Sequence, residues 1–227
     1  MKPYKTVLLD LDGTVFDFAA SEKICFFAAA EDLDLLFTCE EYSLYSDINQ
    51  KLWTMLERKE ITIDLLRTER FRRLLEQTGK QGDPALFAKR YVAHLAQSVI
   101  PFEGAAEFCR RLAARYSLCV VTNGIRHNQY QRVKLSPIAP YVTAMVTSEE
   151  IGAAKPSPLI FEEALRRAGA GAEQCVMVGD NFQADILGAA DCGIDAIWYA
   201  DAQQRVDHNR IVLVSQSYEA ILQYLGA

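Results

Sequence analysis

The sequence predicts an α/β fold, a parallel sheet interrupted after its first strand by an all-helical insert. Short β-branched runs alternate with helix-period segments, the pattern of βαβ units. Several of the runs are nearly continuous in apolar character, as strands covered on both faces are. Residues from about 16 to 99 instead hold helix-period segments and no convincing strand.

In order, Thr6-Val7-Leu8-Leu9 is the first strand. The insert then carries helical segments around Ala19 to Leu36, Cys39 to Arg58, Ile61 to Gln77 and Pro84 to Ser98. The run Gly79-Lys80-Gln81-Gly82-Asp83-Pro84 is the turn between the last two. An all-helical insert at this point predicts a cap over the carboxyl edge of the sheet. Beyond it, Ala105, Phe108, Cys109, Leu112 and Ala113 form an amphipathic stripe at i, i+3, i+4, i+7, i+8. Strands follow at Leu118 to Val121, Val142 to Val146, Val176 to Val178, Ile194 to Trp198 and Ile211 to Val214. Ser157-Pro158 is a helix start, with Ser as N-cap and Pro at the first helical position. Ile160, Phe161, Ala164, Leu165 and Ala168 then supply a buried face, and Gly169 a left-handed stop.

The 227 residues are half apolar, enough for a substantial core, so global disorder is excluded. With 24 Lys and Arg against 30 Asp and Glu, the net charge is −6 and there is no basic footprint for a nucleic-acid polymer. A protein this acidic that handles a phosphorylated substrate needs a cation to offset the repulsion. The six cysteines form no Cys-x-x-Cys pair, which argues against zinc, and read as free buried thiols. The opening Met1-Lys2-Pro3-Tyr4-Lys5 shows no signal-peptide pattern, and the apolar stretch Ile24 to Ala30 is too short to span a bilayer. A cytoplasmic protein is the expectation.

Polar residues gather where apolar strands end. The first strand runs into Asp10-Leu11-Asp12-Gly13-Thr14. Alternate residues of an extended chain share a face, so the two carboxylates fall roughly 6–7 Å apart, and they repel unless a cation is present. Val120-Val121 ends in Thr122-Asn123-Gly124, Lys155 precedes Pro156 just before a capped helix, and Val176-Met177-Val178 ends in Gly179-Asp180 with Asp185 five residues on. One sheet edge thus collects four carboxylates, a lysine, a hydroxyl and an amide, at the edge where ligands bind in open α/β sheets.

In that order, Asp10-x-Asp12-Gly-Thr, Thr122, Lys155 and Gly179-Asp180-x4-Asp185 resemble the four motifs of the haloacid dehalogenase-like hydrolases. The resemblance implies a Rossmann-like catalytic core over residues 1–15 and 100–227 and a helical cap domain over 16–99. It implies a Mg²⁺-dependent phosphomonoesterase. Asp10 would be the nucleophile that becomes an aspartyl phosphate, and Asp12 the acid and base that protonates the leaving oxygen and later deprotonates water. Thr122 and Lys155 would bind the phosphoryl group, with Asn123 beside them on the substrate, and Lys155 would also screen the carboxylates. Asp10, Asp180 and the backbone carbonyl of Asp12 would hold the metal, with Asp185 supporting it. An anionic carboxylate reaches an anionic ester only where charge is neutralised, so the chemistry agrees with the motif. Like charges in this crowd also raise a carboxyl pKa towards neutrality.

Asn49-Gln50-Lys51-Leu52-Trp53, Ile61-Thr62, Thr122-Asn123-Gly124 and Ser148-Glu149-Glu150-Ile151-Gly152 are similar to the bacterial pyrimidine 5′-nucleotidases of this superfamily, with Lys51 where a proline is usual. That implies a nucleoside monophosphate as the small-molecule partner of a monomer or homodimer. The alternatives are a phosphatase acting on a sugar phosphate, a phosphomutase, a dehalogenase, for which the second aspartate, the metal carboxylate and the threonine are superfluous, and a non-catalytic binding protein. Trp53 itself reads as core packing and His127 as a surface or helix-cap residue. Arg67, Arg70, Arg72 and Arg73, interleaved with Glu69 and Glu76, read as a solvated helix face.

Overall fold

The computed structural model describes residues 4–58, 60–204 and 207–227; Met1 to Pro3 of the N-terminal reading lie outside them. The chain divides into two compact units, Met1–Phe18 with Val99–Ala227, and Ala19–Ser98.

In the first unit, β1 (Thr6–Leu9) is followed, beyond the second unit, by α5 (Ala105–Ala113), β2 (Ser117–Thr122) and α6 (Arg126–Leu135). Then come β3 (Val142–Thr147), α7 (Ser148–Ile151), α8 (Pro158–Ala168) and β4 (Cys175–Gly179). A π-helical turn (Phe182–Leu187) leads into α9 (Gly188–Asp191), β5 (Asp195–Trp198), β6 (Ile211–Val214) and α10 (Tyr218–Leu225). The six strands are all parallel, in the order β3-β2-β1-β4-β5-β6. From β1 the chain builds the sheet outwards through β2 and β3, then returns to the other side of β1 with β4. The β1–β4 seam is therefore the switch point, where crossovers leave in opposite directions and open a crevice at the strands' carboxyl ends.

The sheet is a middle layer. Val7 and Leu9 face α5 and α10 through Phe108, Leu112, Ile221 and Leu225, whereas Leu8 faces Ile160, Phe161 and Ala164 of α8. Every residue of β1 is buried, which is why that strand reads as a continuous apolar run. The predicted stripe on α5 buries Ala105, Phe108, Cys109 and Leu112 as expected. Helix α8 starts after Ser157 and ends at Gly169 in the left-handed region (φ 61°), although the Ser157 side chain makes no capping bond. Residues next to the insert hold the unit together: Asp17 donates to the Ile100 carbonyl (2.8 Å) and Phe102 to that of Val15 (2.9 Å).

The second unit contains α1 (Phe18–Glu31, which begins in the first unit), α2 (Cys39–Glu57), α3 (Ile63–Thr78) and α4 (Pro84–Gln97). Thr38 and Glu41 form a capping box at the start of α2, and Gly79 closes α3 in the left-handed region (φ 67°). Phe26, Tyr45, Phe71, Phe87 and Tyr91 form an aromatic core of stacked and tilted rings, and Trp53 packs at its margin. Two expectations are corrected here. The first insert helix stops at Glu31 rather than Leu36, because Asp34 takes a left-handed conformation (φ 54°) and Leu35 folds back to the Ala30 carbonyl. Arg70 is not on a solvated face. It is buried, donates to Asn49 (3.1 Å), and lies over the Tyr91 and Phe71 rings, while Asn49 donates to buried Glu22 (2.7 Å). Its neighbours Arg72 and Arg73 do pair with Glu69 and Glu76 in water-exposed contacts. Among the cysteines, Cys39 is exposed and Cys192 half-buried, whereas the other four are buried as expected.

Leu8 has no solvent exposure and sits on the central strand of the three layers. Leu8→Ala is expected to destabilise the protein by about 2–5 kcal/mol, read as a lower urea midpoint with an unchanged slope.

Candidate active site

The strand ends at the β1–β4 seam deliver the predicted residues to one place. Asp10 follows β1 directly, and its N–H continues the sheet by donating to the Val178 carbonyl (3.0 Å). Asp180 follows β4, and its main-chain oxygen accepts from the Trp198 indole (2.8 Å). Asp185 lies on the π-helical turn, whose first N–H groups are capped by Asn181 at 3.1 and 2.9 Å. Oxygens of Asp10, Asp180 and Asp185 all come within 4.8 Å of one another.

Close approach here demands glycine. At Gly13 (φ 91°) an added Cβ would sit 2.2 Å from Asp180 Oδ2, and at Gly179 one would sit 2.4 Å from Asp185 Oδ2. The motif glycines are thus the space that the carboxylates occupy. Thr14, the last residue of the first motif, donates to Asp180 Oδ1 (3.0 Å).

Lys155 answers the charge. Its ammonium is buried and lies 2.5 Å from Asp10 Oδ1, 2.6 Å from Asp185 Oδ1 and 2.7 Å from the Val121 carbonyl. Those three oxygens account for the directions in which an ammonium can donate. Asn123 holds the lysine in place: its amide donates to the Lys155 carbonyl (3.1 Å) and accepts from the Lys155 N–H (2.8 Å). The sequence placed Asn123 on the substrate; in the structure its amide grips the lysine main chain.

Three carboxylates against one ammonium leave a formal charge of −2 in a site largely shielded from water. Burial and the neighbouring Asp185 and Asp180 push the Asp10 carboxyl well above its usual range, against the pull of Lys155. Burial, and then Asp185, raise Asp180 to about 6. Burial opposes the charge on Lys155, but Asp10 and Asp185 outweigh it and raise its pKa. The donor set fits a hard divalent cation. It is all oxygen, its excess charge is two, and one oxygen from each of the three carboxylates converges within 4.8 Å of the others.

Asp12 is held apart from this cluster. Gln129 donates to its Oδ2 (2.8 Å) and Arg132 to its Oδ1 (2.7 Å). Thr122 ends β2 with its hydroxyl oxygen accepting from the same Gln129 amide (2.8 Å). Neither Gln129 nor Arg132 is among the residues singled out in the sequence. Both lie on α6, three residues apart and so on one helix face, but in a segment too polar to show a buried stripe.

A parallel-sheet core with an aspartate directly after β1 and an acidic cluster at the switch point places a polar site at the carboxyl edge of the sheet, where open α/β folds bind their ligands. The chain belongs to the haloacid dehalogenase-like hydrolase family, whose profile matches residues 4–193. It is 33% identical to the HAD-hydrolase YfnB of Bacillus subtilis over 87% of this chain and 85% of that protein. It is 35% identical to the pyrimidine 5′-nucleotidase PynA of Streptococcus pneumoniae over 86% of this chain and 84% of that one. A crystal structure of YfnB bound to magnesium superposes over 100% of both chains, with a TM-score of 0.90 at 30% identity. Among the described residues, no helix is long and apolar enough to cross a membrane.

The raised Asp180 pKa has a stability consequence. In the metal-free protein the folded state binds the Asp180 proton more tightly than the unfolded chain does. Stability therefore falls as pH rises from the ordinary carboxylate range through about 6, and stays reduced above it. Asp180→Asn removes the buried charge and keeps an oxygen for Thr14. In chelator at pH 8 this variant is expected to be more stable than wild type by on the order of 2–3 kcal/mol, with the gain shrinking towards pH 4. Thermal melts across that range check it, and a less stable variant at pH 8 would contradict the electrostatic account.

Proposed function

We propose that the protein is a Mg²⁺-dependent phosphomonoesterase working through an aspartyl phosphate, with nucleoside 5′-monophosphates as its substrate class. The observation that carries this reading is the largely buried cluster of Asp10, Asp180 and Asp185 with Lys155, and a separately held Asp12. The relationship to PynA supports the nucleotidase part, and the magnesium in the related YfnB structure supports the cation.

Asp10 and Asp180, with the Asp12 main-chain carbonyl, would hold Mg²⁺, and Asp185 would support them. When bound, the cation neutralises the excess charge and polarises the phosphoryl oxygens. Asp10, one oxygen fixed by Lys155, presents the other to phosphorus. As that bond forms, the bond from phosphorus to the ester oxygen breaks, and Asp12 gives its proton to the leaving alkoxide. Water then attacks the aspartyl phosphate, Asp12 takes the proton from that water, and the bond between phosphorus and Asp10 breaks to release phosphate. Thr122 steadies the phosphoryl group through its hydroxyl. Lys155 acts in this scheme chiefly as the charge screen, since its donors already face Asp10, Asp185 and Val121.

A dehalogenase on the same fold has no leaving oxygen to protonate and no phosphoryl charge to neutralise. Neither Asp12 nor the acidic cluster would then have work to do.

Phosphate release from a panel of nucleoside monophosphates and sugar phosphates tests the reading. Activity is expected with Mg²⁺ and not with chelator, favouring UMP, dUMP and dTMP over sugar phosphates. Asp10→Asn is expected to lower kcat by at least about a thousandfold with the melting temperature preserved. Turnover that survives chelation would remove the metal, and a sugar-phosphate preference would remove the nucleotidase assignment.

A further inference from the structure

Two buried polar residues of α6, Gln129 and Arg132, have no place in the reaction as described so far. The Gln129 amide nitrogen donates at 2.8 Å both to Asp12 Oδ2 and to Thr122 Oγ1. An amide nitrogen carries two hydrogens, so both are used. Its oxygen accepts from Arg132 NH1 (2.8 Å), and the same NH1 lies 2.7 Å from Asp12 Oδ1. A guanidinium only donates, so the amide cannot turn over without setting donor against donor. Arg132 is 1% exposed, and its guanidinium lies 5.1 Å from the Phe16 ring centre and 5.8 Å from that of Phe18. The space for Gln129 comes from Gly124, where an added Cβ would fall 2.9 Å from the amide nitrogen and 3.0 Å from Cγ. The glycine of Thr122-Asn123-Gly124 is thereby explained by a side chain five residues away.

We propose that Gln129, its amide fixed by Arg132, is a positioning residue that orients the Asp12 carboxyl and the Thr122 hydroxyl together. The inference rests on the phosphatase reading, in which Asp12 moves the proton and Thr122 meets the phosphoryl group. Thr122 Oγ1 already accepts from Gln129, so its own proton is directed elsewhere, to a phosphoryl oxygen. Asp12 is clamped through both oxygens, which fixes the plane of the carboxyl. Each oxygen keeps a second lone-pair site, so the clamp leaves room for the proton that is transferred. A proton donor held at the right angle to the leaving oxygen accelerates departure most where the leaving group is a poor one.

The test compares UMP, whose leaving alkoxide needs protonation, with 4-nitrophenyl phosphate, whose phenolate departs largely without it. The readout is kcat/KM of the full chain with Mg²⁺, which reports the steps up to leaving-group departure. Gln129→Met keeps the length of the side chain and removes both donors. It is expected to lower kcat/KM for UMP by about 10–100-fold and the ratio of UMP to 4-nitrophenyl phosphate by about tenfold. Gly124→Ala pushes the amide aside without deleting it and is expected to shift the ratio in the same direction; it carries the test if the methionine variant does not fold. Equal losses on both substrates, or no loss on either, would overturn the positioning role alone. A wild-type protein that hydrolyses neither ester would overturn the phosphatase reading and this inference with it.

Discussion

Three carboxylates crowded at one sheet edge, two of them buried and Asp180 half-buried, against a single ammonium are the constraint on which the rest of the site depends. Removing a carboxylate from water is unfavourable, and crowding several multiplies the effect. Lys155 relieves part of it and leaves two negative charges unanswered. The raised pKa values of Asp10 and Asp180 are the metal-free protein's response, since burial drives those groups towards their neutral forms. A divalent cation would supply the same relief while keeping the carboxylates ionised, the state that the proposed nucleophile requires.

The fold holds this unfavourable arrangement by rigid means. The carboxylates stand at the ends of fully buried strands and on a capped helical turn, so the stability of the three-layer core is what keeps them together. Gly13 and Gly179 admit carboxylate oxygens where any side chain would collide. Asn123 fixes the lysine through its main chain, and Gln129 and Arg132 fix Asp12. Charge-bearing groups are each paired with a neutral or cationic residue that removes their freedom, so the geometry of the site exists before a ligand arrives.

Much of this was legible in the sequence because strands buried on both faces announce themselves. A continuous apolar run that stops at Asp10, Thr122 or Asp180 marks a strand end and a polar edge at once. Lys155 and Asp185 terminate no apolar strand; their places, before Pro156 and a capped helix and five residues beyond Asp180, mark them out, and the family motif supplies their roles. Gln129 and Arg132 were missed for a physical reason: helix α6 buries polar residues, so it shows no hydrophobic stripe, and their partners are about 120 residues away for Asp12. Arg70 misled in the opposite direction. Its neighbours form surface ion pairs, and only the packed structure reveals that its guanidinium turns inward to Asn49 and the aromatic rings. The early end of α1 depends on Asp34 adopting a left-handed conformation, which apolar periodicity does not register.

The central claim is that the excess charge of the cluster is answered by a divalent cation. Calorimetric titration of Mg²⁺ into chelator-treated protein tests it most directly. One saturable site is predicted, with affinity that falls as the pH is lowered through about 6, where a proton on Asp180 competes with the metal. Absence of saturable binding at pH 8, or an affinity indifferent to pH and to Asp180→Asn, would contradict it.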